Sequence, residues 1–157
     1  MRREALPLAY RETAFRLDDM VDVLKLLIAI GKTGRDNIES LEFPWWSQAD
    51  TECKWDEAPT FEDHNLTLPA LHVERCVRLL GQCKRLRFLR LHFESDLMQQ
   101  ISLGAFRSDP GIRELCSTCR VESLEIWSMG NESLDDNHLA KWMRTKMEGS
   151  CREGGRD

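Results

Sequence analysis

One six-residue phrase occurs three times in this chain: Ile38-Glu39-Ser40-Leu41-Glu42-Phe43, Leu86-Arg87-Phe88-Leu89-Arg90-Leu91 and Val121-Glu122-Ser123-Leu124-Glu125-Ile126. Each copy is apolar at its first, fourth and sixth positions, holds Leu at the fourth, and is charged at the second and fifth. Alternation of this kind buries one face of a strand and leaves the other to solvent. The fourth positions, Leu41, Leu89 and Leu124, lie 48 and 35 residues apart. Such separations are far longer than a hairpin needs, so the three strands are expected to pair in parallel through crossover segments.

Helical signals fill the gaps between the phrases. Asp18 or Asp19 caps a first helix with Met20, Leu24, Leu27 and Ile28 on one face, stopped by Gly31 or Gly34. A second is expected to start near Pro69 and run through Val73, Val77 and Leu80 to Gly81. Asp109-Pro110 reads as N-cap and first residue of a third, through Leu115. A final helix follows Ser133 as cap, with Leu139, Trp142 and Met143 on its apolar face. Glu4 to Tyr10 gives a weaker helical signal.

The charged positions predict strand order. In register, the fifth positions read Glu42, Arg90, Glu125 and the second read Glu39, Arg87, Glu122. Opposite charges across a strand pair contribute about 0.2–1 kcal/mol and like charges oppose pairing. Both rows therefore favour the order one-two-three. Aligned in this way, Ser40, Phe88 and Ser123 share one row of the outer face, and Pro44, His92 and Trp127 another.

The Leu-x-x-Leu-x-Leu phrase after a helix ending in Cys or Gly resembles a leucine-rich repeat. Three residues beyond the sixth position, where that family places Asn or Cys, stand Trp46, Glu94 and Met129. The expected fold class is accordingly α/β: a short leucine-rich-repeat-like stack of helix-strand units, with a small parallel sheet and helices on one side. The front of the chain, Arg3-Glu4-Ala5-Leu6-Pro7-Leu8-x-Tyr10, Thr13-Ala14-Phe15-Arg16-Leu17 and Ile38-Glu39-Ser40-Leu41, looks like a large group of filamentous-ascomycete proteins. Some of these carry an F-box-like segment before this region. The resemblance covers about residues 3 to 43 well. It implies an N-terminally short chain and transfers no catalytic residues; no F-box segment is visible.

With 157 residues, 41% of them apolar, the chain is long enough for one domain with its own core. That domain is expected over 1–147, with a disordered tail at 148–157. A net charge of −5 argues against generic affinity for nucleic acid or anionic membrane. The basic run from Arg75 to Arg90 reads as a solvated helix face plus partners of the flanking glutamates. The most apolar run, Met20 to Ile30, is too short to span a bilayer. With no secretory signal visible, an intracellular location (cytoplasm or nucleus) and reduced cysteines are expected.

Catalytic patterns are missing. The four histidines are scattered, and no nucleophile elbow, dinucleotide fingerprint or P-loop occurs. Cys116-x-x-Cys119 falls before a strand, at the end of a helix, where the dipole opposes a thiolate; the Cys76 and Cys83 spacing is unlike a zinc knuckle. The alternatives to the main expectation are a small thiol- or zinc-dependent protein centred on Cys116 and Cys119, or a fragment of a larger F-box-like adaptor. That expectation is a non-enzymatic protein-interaction module without cofactor, metal or identifiable small-molecule substrate. Its candidate contact residues are Trp45, Trp46, Trp55 and Phe61, in a long acidic loop at 44–69, and Phe88, His92 and Trp127 on the outer sheet face. Aromatic side chains are enriched at protein interfaces. The competing reading of the loop tryptophans is that they fold back over the core edge.

Overall fold

Residues 2–50 and 68–148 are described by a computed structural model of the chain. In chain order the elements are α1 (Arg2–Glu12), β1 (Ala14–Arg16), α2 (Met20–Ala29), α3 (Gly31–Arg35) and β2 (Ser40–Pro44). There follow α4 (Val73–Leu80), β3 (Phe88–Phe93), α5 (Ser95–Gln100), α6 (Leu103–Ser108), α7 (Pro110–Thr118), β4 (Ser123–Ser128) and α8 (His138–Glu148). The four strands form one parallel sheet in the order β1-β2-β3-β4.

The three phrases are β2, β3 and β4, and they pair in the register their charges favour. Leu41 stands opposite Leu89 and Leu89 opposite Leu124; Glu42 opposes Arg90, and Arg90 opposes Glu125. β1 adds a fourth strand outside β2, with Arg16 opposite Glu42. The alternation therefore runs plus, minus, plus, minus over four strands.

Strand periodicity then sorts the side chains. Leu41, Phe43, Leu89, Leu91, Phe93, Leu124 and Ile126 are buried on one face with the apolar stripes of α2, α4, α7 and α8. Truncating a central member such as Leu89 to Ala costs about 2–5 kcal/mol, because the packed neighbours cannot close the cavity. At the C-terminal end of the sheet the core becomes aromatic. Ring centroids step from Phe43 to Trp45 (6.3 Å), Phe93 (6.3 Å), Phe106 (6.0 Å) and Trp142 (6.1 Å). Gly111 lets α7 approach this row: a Cβ there would lie 2.5 Å from Val73 Cγ1 and 3.3 Å from Trp45 Cζ2.

Local signals and long-range contacts divide the helix boundaries. The Asp19 carboxylate accepts from the Val21 N–H (2.7 Å) and starts α2. Ile30 lies between α2 and α3, and Gly31, at φ +61°, opens α3. Ile28 is half exposed and Val23 takes its expected place in the core, since α2 packs along the side that holds Met20, Leu24 and Leu27. α4 begins at Val73, later than Pro69. The Asp50 carboxylate takes the N–H groups of Ala70 and Leu71 (2.9 and 3.0 Å), holding 69–72 as a turn before the helix. Asp109 caps α7 as expected, accepting from Ile112 (2.9 Å). α8 is capped by Asn137, whose side chain accepts from the Leu139 N–H (2.8 Å). Ser133 instead accepts from Asp135 in the preceding turn (3.3 Å). Glu148, placed in the tail by the sequence, ends α8; the rest of that tail lies outside the described residues.

Candidate functional site: the open face of the sheet

The helices that build the core leave the other sheet face to solvent. Ser40, Glu42, Phe88, Arg90, Glu125 and Trp127 are half-buried there, Ser123 is exposed, and Pro44 and His92 are nearly covered by their neighbours. Arg90, on the middle of the face, organises the surface. Its Nη2 lies 2.6 Å from Glu125 Oε2 and its Nη1 3.5 Å from Glu42 Oε2. Its guanidinium lies over two aromatic faces, 5.5 Å from the centroid of Phe88 and 4.9 Å from that of Trp127. Trp127 Nε1 donates to the same Glu125 oxygen (3.0 Å). The carboxylates fix the guanidinium plane and the two rings fix its position. These groups are about one-third exposed or less, so solvent weakens the attraction without removing it; each cross-strand pair contributes about 0.2–1 kcal/mol.

Glu42 also ties in His92. His92 Nε2 lies 2.8 Å from Glu42 Oε1, and its Nδ1 lies 3.2 Å from the Ser128 carbonyl. A carboxylate and a peptide carbonyl both accept, and a neutral imidazole, with one N–H, donates to one of them at a time. Beside it, at the C-terminal ends of the strands, a cavity of about 180 Å³ is lined by Arg16, Asp18, Glu42, His92 and Asn131 among others. That is below the usual range of small-ligand pockets, about 300–1,000 Å³. A larger cavity of about 460 Å³ lies between the first turns of α4 and α7. Of the charged side chains that line it, Glu74 pairs with Arg78 (2.6 Å) and Asp109 caps α7.

The expected contact residues separate into three groups. Phe88, His92 and Trp127 come together around Arg90 and Glu42. Trp45 does not reach the surface: it is 2% exposed, packed between Phe43 and Phe93, with its indole N–H buried and unpartnered among the described residues. It closes the core edge, which corrects its place among the contact residues. Trp46 is half-buried, and its carbonyl accepts from the Met20 N–H (3.1 Å), tying the chain after β2 to the start of α2. Trp55 and Phe61, and most of the 44–69 loop, lie outside the described residues. Arg16 was not anticipated. Its one sequence signal is that it continues the alternating charge row from a strand too short to show a period.

The thiols present a different chemistry. Cys76, Cys83, Cys116 and Cys119 are buried and unbridged. Burial pushes Cys76 and Cys83 up to about 12 and Cys116 and Cys119 up to about 11. At pH 7 a thiol of the latter kind is ionised in only about one molecule in ten thousand, and the thiolate is the reactive form. Cys116 lies in α7 and Cys119 is its C-cap, at the end of the helix that disfavours negative charge. Among the described residues no three His, Cys, Asp or Glu side chains are grouped to hold a metal ion. No described helix is long and apolar enough to cross a membrane.

The chain matches no protein-family model, no curated protein and no solved structure.

Proposed function

We propose that this chain is a non-enzymatic protein-interaction module whose contact surface is the open face of the sheet, centred on Arg90. The observation that carries this reading is the Arg90 assembly: one arginine held between Phe88 and Trp127 and fixed by Glu42 and Glu125. Arginine and aromatic side chains supply a disproportionate share of binding energy at protein interfaces, most of all where their rotamers are set before contact. The hollow on this face, about 460 Å³ beside Arg90, Glu125 and Trp127, is wide open to solvent, which suits a protein partner better than an enclosed small molecule. Buried, unbridged cysteines accord with a reducing, intracellular setting. The thiol reading is the weaker one, because its nucleophiles are buried and protonated.

The test is affinity capture from the native cell with wild-type chain and with Ser123→Arg, which plants a bulky charge on the exposed end of the Phe88 row. A partner retained by the wild type and lost by the variant, with thermal stability unchanged, is the expected result. Partners that bind both chains alike would remove the open face from the account.

A further inference from the structure

The two edges of the sheet are finished differently, and the difference points to a second contact. Along β4 the outward backbone groups are occupied. The Leu124 N–H donates to Glu148 Oε1 (2.6 Å) and the Leu124 carbonyl accepts from Arg144 Nε (2.9 Å). Further on, the Ile126 carbonyl accepts from the Leu134 N–H (2.9 Å), and the Ser128 N–H donates to the Glu132 carbonyl (2.7 Å). β1 has no such finish. The Leu17 N–H donates to the Glu42 carbonyl (2.9 Å), so Phe15, two residues earlier, also faces β2. By the alternation of a strand, the N–H and C=O of Ala14 and Arg16 point away from the sheet. Among the described residues nothing bonds to them.

We propose that β1 accepts a fifth strand: an extended segment of a partner protein with an acidic side chain opposite Arg16. Charge selects that occupant. Across the open face the row reads Arg16, Glu42, Arg90, Glu125, and Arg16 is its unfinished end. Arg16 is 65% exposed and lies 3.8 Å from Glu42, while Glu42 is more closely engaged by Arg90 and His92. Among the described residues most of the Arg16 donors are therefore free for a carboxylate on its outer side, the cross-strand arrangement that stabilises pairing.

The neighbours sharpen the pattern. Asp18 lines the same cavity as Arg16, so a second acid placed beyond the strand end would be repelled. Phe15 is half-buried on the core side and favours apolar residues on either side of the acid. Ala14 is small and exposed and leaves room beside Arg16. The occupant is thus an apolar–acid–apolar stretch with neutral residues next in line. A second copy of this chain fits less well. Antiparallel pairing centred on Phe15 would set Ala14 opposite Arg16, and a shifted register would set Arg16 against Arg16. This inference is separate from the open-face reading, since it uses backbone atoms of another strand, and either stands without the other.

The probe is a fluorescein-labelled nonapeptide of alternating threonine and valine with glutamate at its centre, tested on the full chain beside the same peptide with lysine. Binding is read by anisotropy and by NMR exchange of the Ala14 and Arg16 amides. The expected result is at least tenfold tighter binding of the glutamate peptide, with slowed exchange at Ala14 and Arg16 and none of that slowing at Leu124. Arg16→Glu should reverse the preference in favour of lysine, and N-methylation of the peptide should abolish binding, a control that leaves the protein unaltered. Failure of the glutamate peptide to bind at millimolar concentration would overturn the proposal. So would equal affinity for the two peptides, binding that survives N-methylation, or a dimer of the chain that protects the same amides without peptide.

Discussion

At the β4 edge, α8 reaches back to the strand with Arg144 and Glu148, and the segment 132–134 runs antiparallel beside Ile126 and Ser128. At the β1 edge, three residues stand against solvent with Ala14 and Arg16 exposed. Unpaired strand edges invite other chains, and folds manage them by covering, charging or shortening them. This molecule covers one edge with side chains from a helix and keeps the other short and positively charged. Covering makes the β4 edge part of the fold's stability. Shortness with charge leaves the β1 edge selective, since a strand that lacks an acid at the right place gains little there.

Substitutions should therefore be felt unequally at the two edges. The largest effect is expected from Arg144→Ala, which removes the partner of the buried Leu124 carbonyl and of Asp135 together. Leaving a buried acceptor unpaired costs about 1–3 kcal/mol, to be read from urea denaturation. Glu148→Ala removes only the acceptor for the Leu124 N–H, at a helix end that water can reach, and should cost about 1 kcal/mol.

The Arg144–Asp135 pair also gives the β4 edge a pH signature. Hydrogen bonds from Arg144, then from Ser133, hold the Asp135 carboxyl below its ordinary value of 3.8. Its folded value is lower than its unfolded one, so its contribution is present above about pH 4 and lost as pH falls through the folded value. In an acid titration the difference in stability between wild type and Arg144→Ala should shrink below pH 4. The smallest effect belongs to the other edge. Arg16→Ala breaks a long, exposed ion pair and should cost ~0–1 kcal/mol in the same denaturation.

The covered edge could not be read from the sequence, because it is made between residues far apart in the chain. Leu124 meets Arg144 and Glu148 only once α8 has packed beside β4. The strands themselves were plain: alternation within each phrase marked β2, β3 and β4, and the sign change from Glu42 to Arg90 to Glu125 ordered them. β1 was hidden by its length, since Ala14-Phe15-Arg16 is too short to show a period. α4 began four residues late because Asp50, twenty residues upstream, holds the preceding turn, and no local pattern reports a distant carboxylate.

Legibility of the candidate site followed the same division. Phe88, His92 and Trp127 were placed on the outer face by strand alternation and strand order, and they meet there. That Arg90 sits between two of them depends on side-chain rotamers, which alternation does not specify. Trp45 shows the limit from the other side. An aromatic residue just past a strand has the same local sequence whether it turns outward or inward, and here Gly111 and Val73 make an inward niche for it.

The contrast between the edges is tested most directly by amide hydrogen exchange in the free protein, residue by residue, by NMR. The Leu124 amide should exchange slowly, with its protection reduced in Glu148→Ala, while the Ala14 and Arg16 amides exchange near the rate of an open chain. Protection at Ala14 and Arg16 equal to that at Leu124 would contradict an open β1 edge.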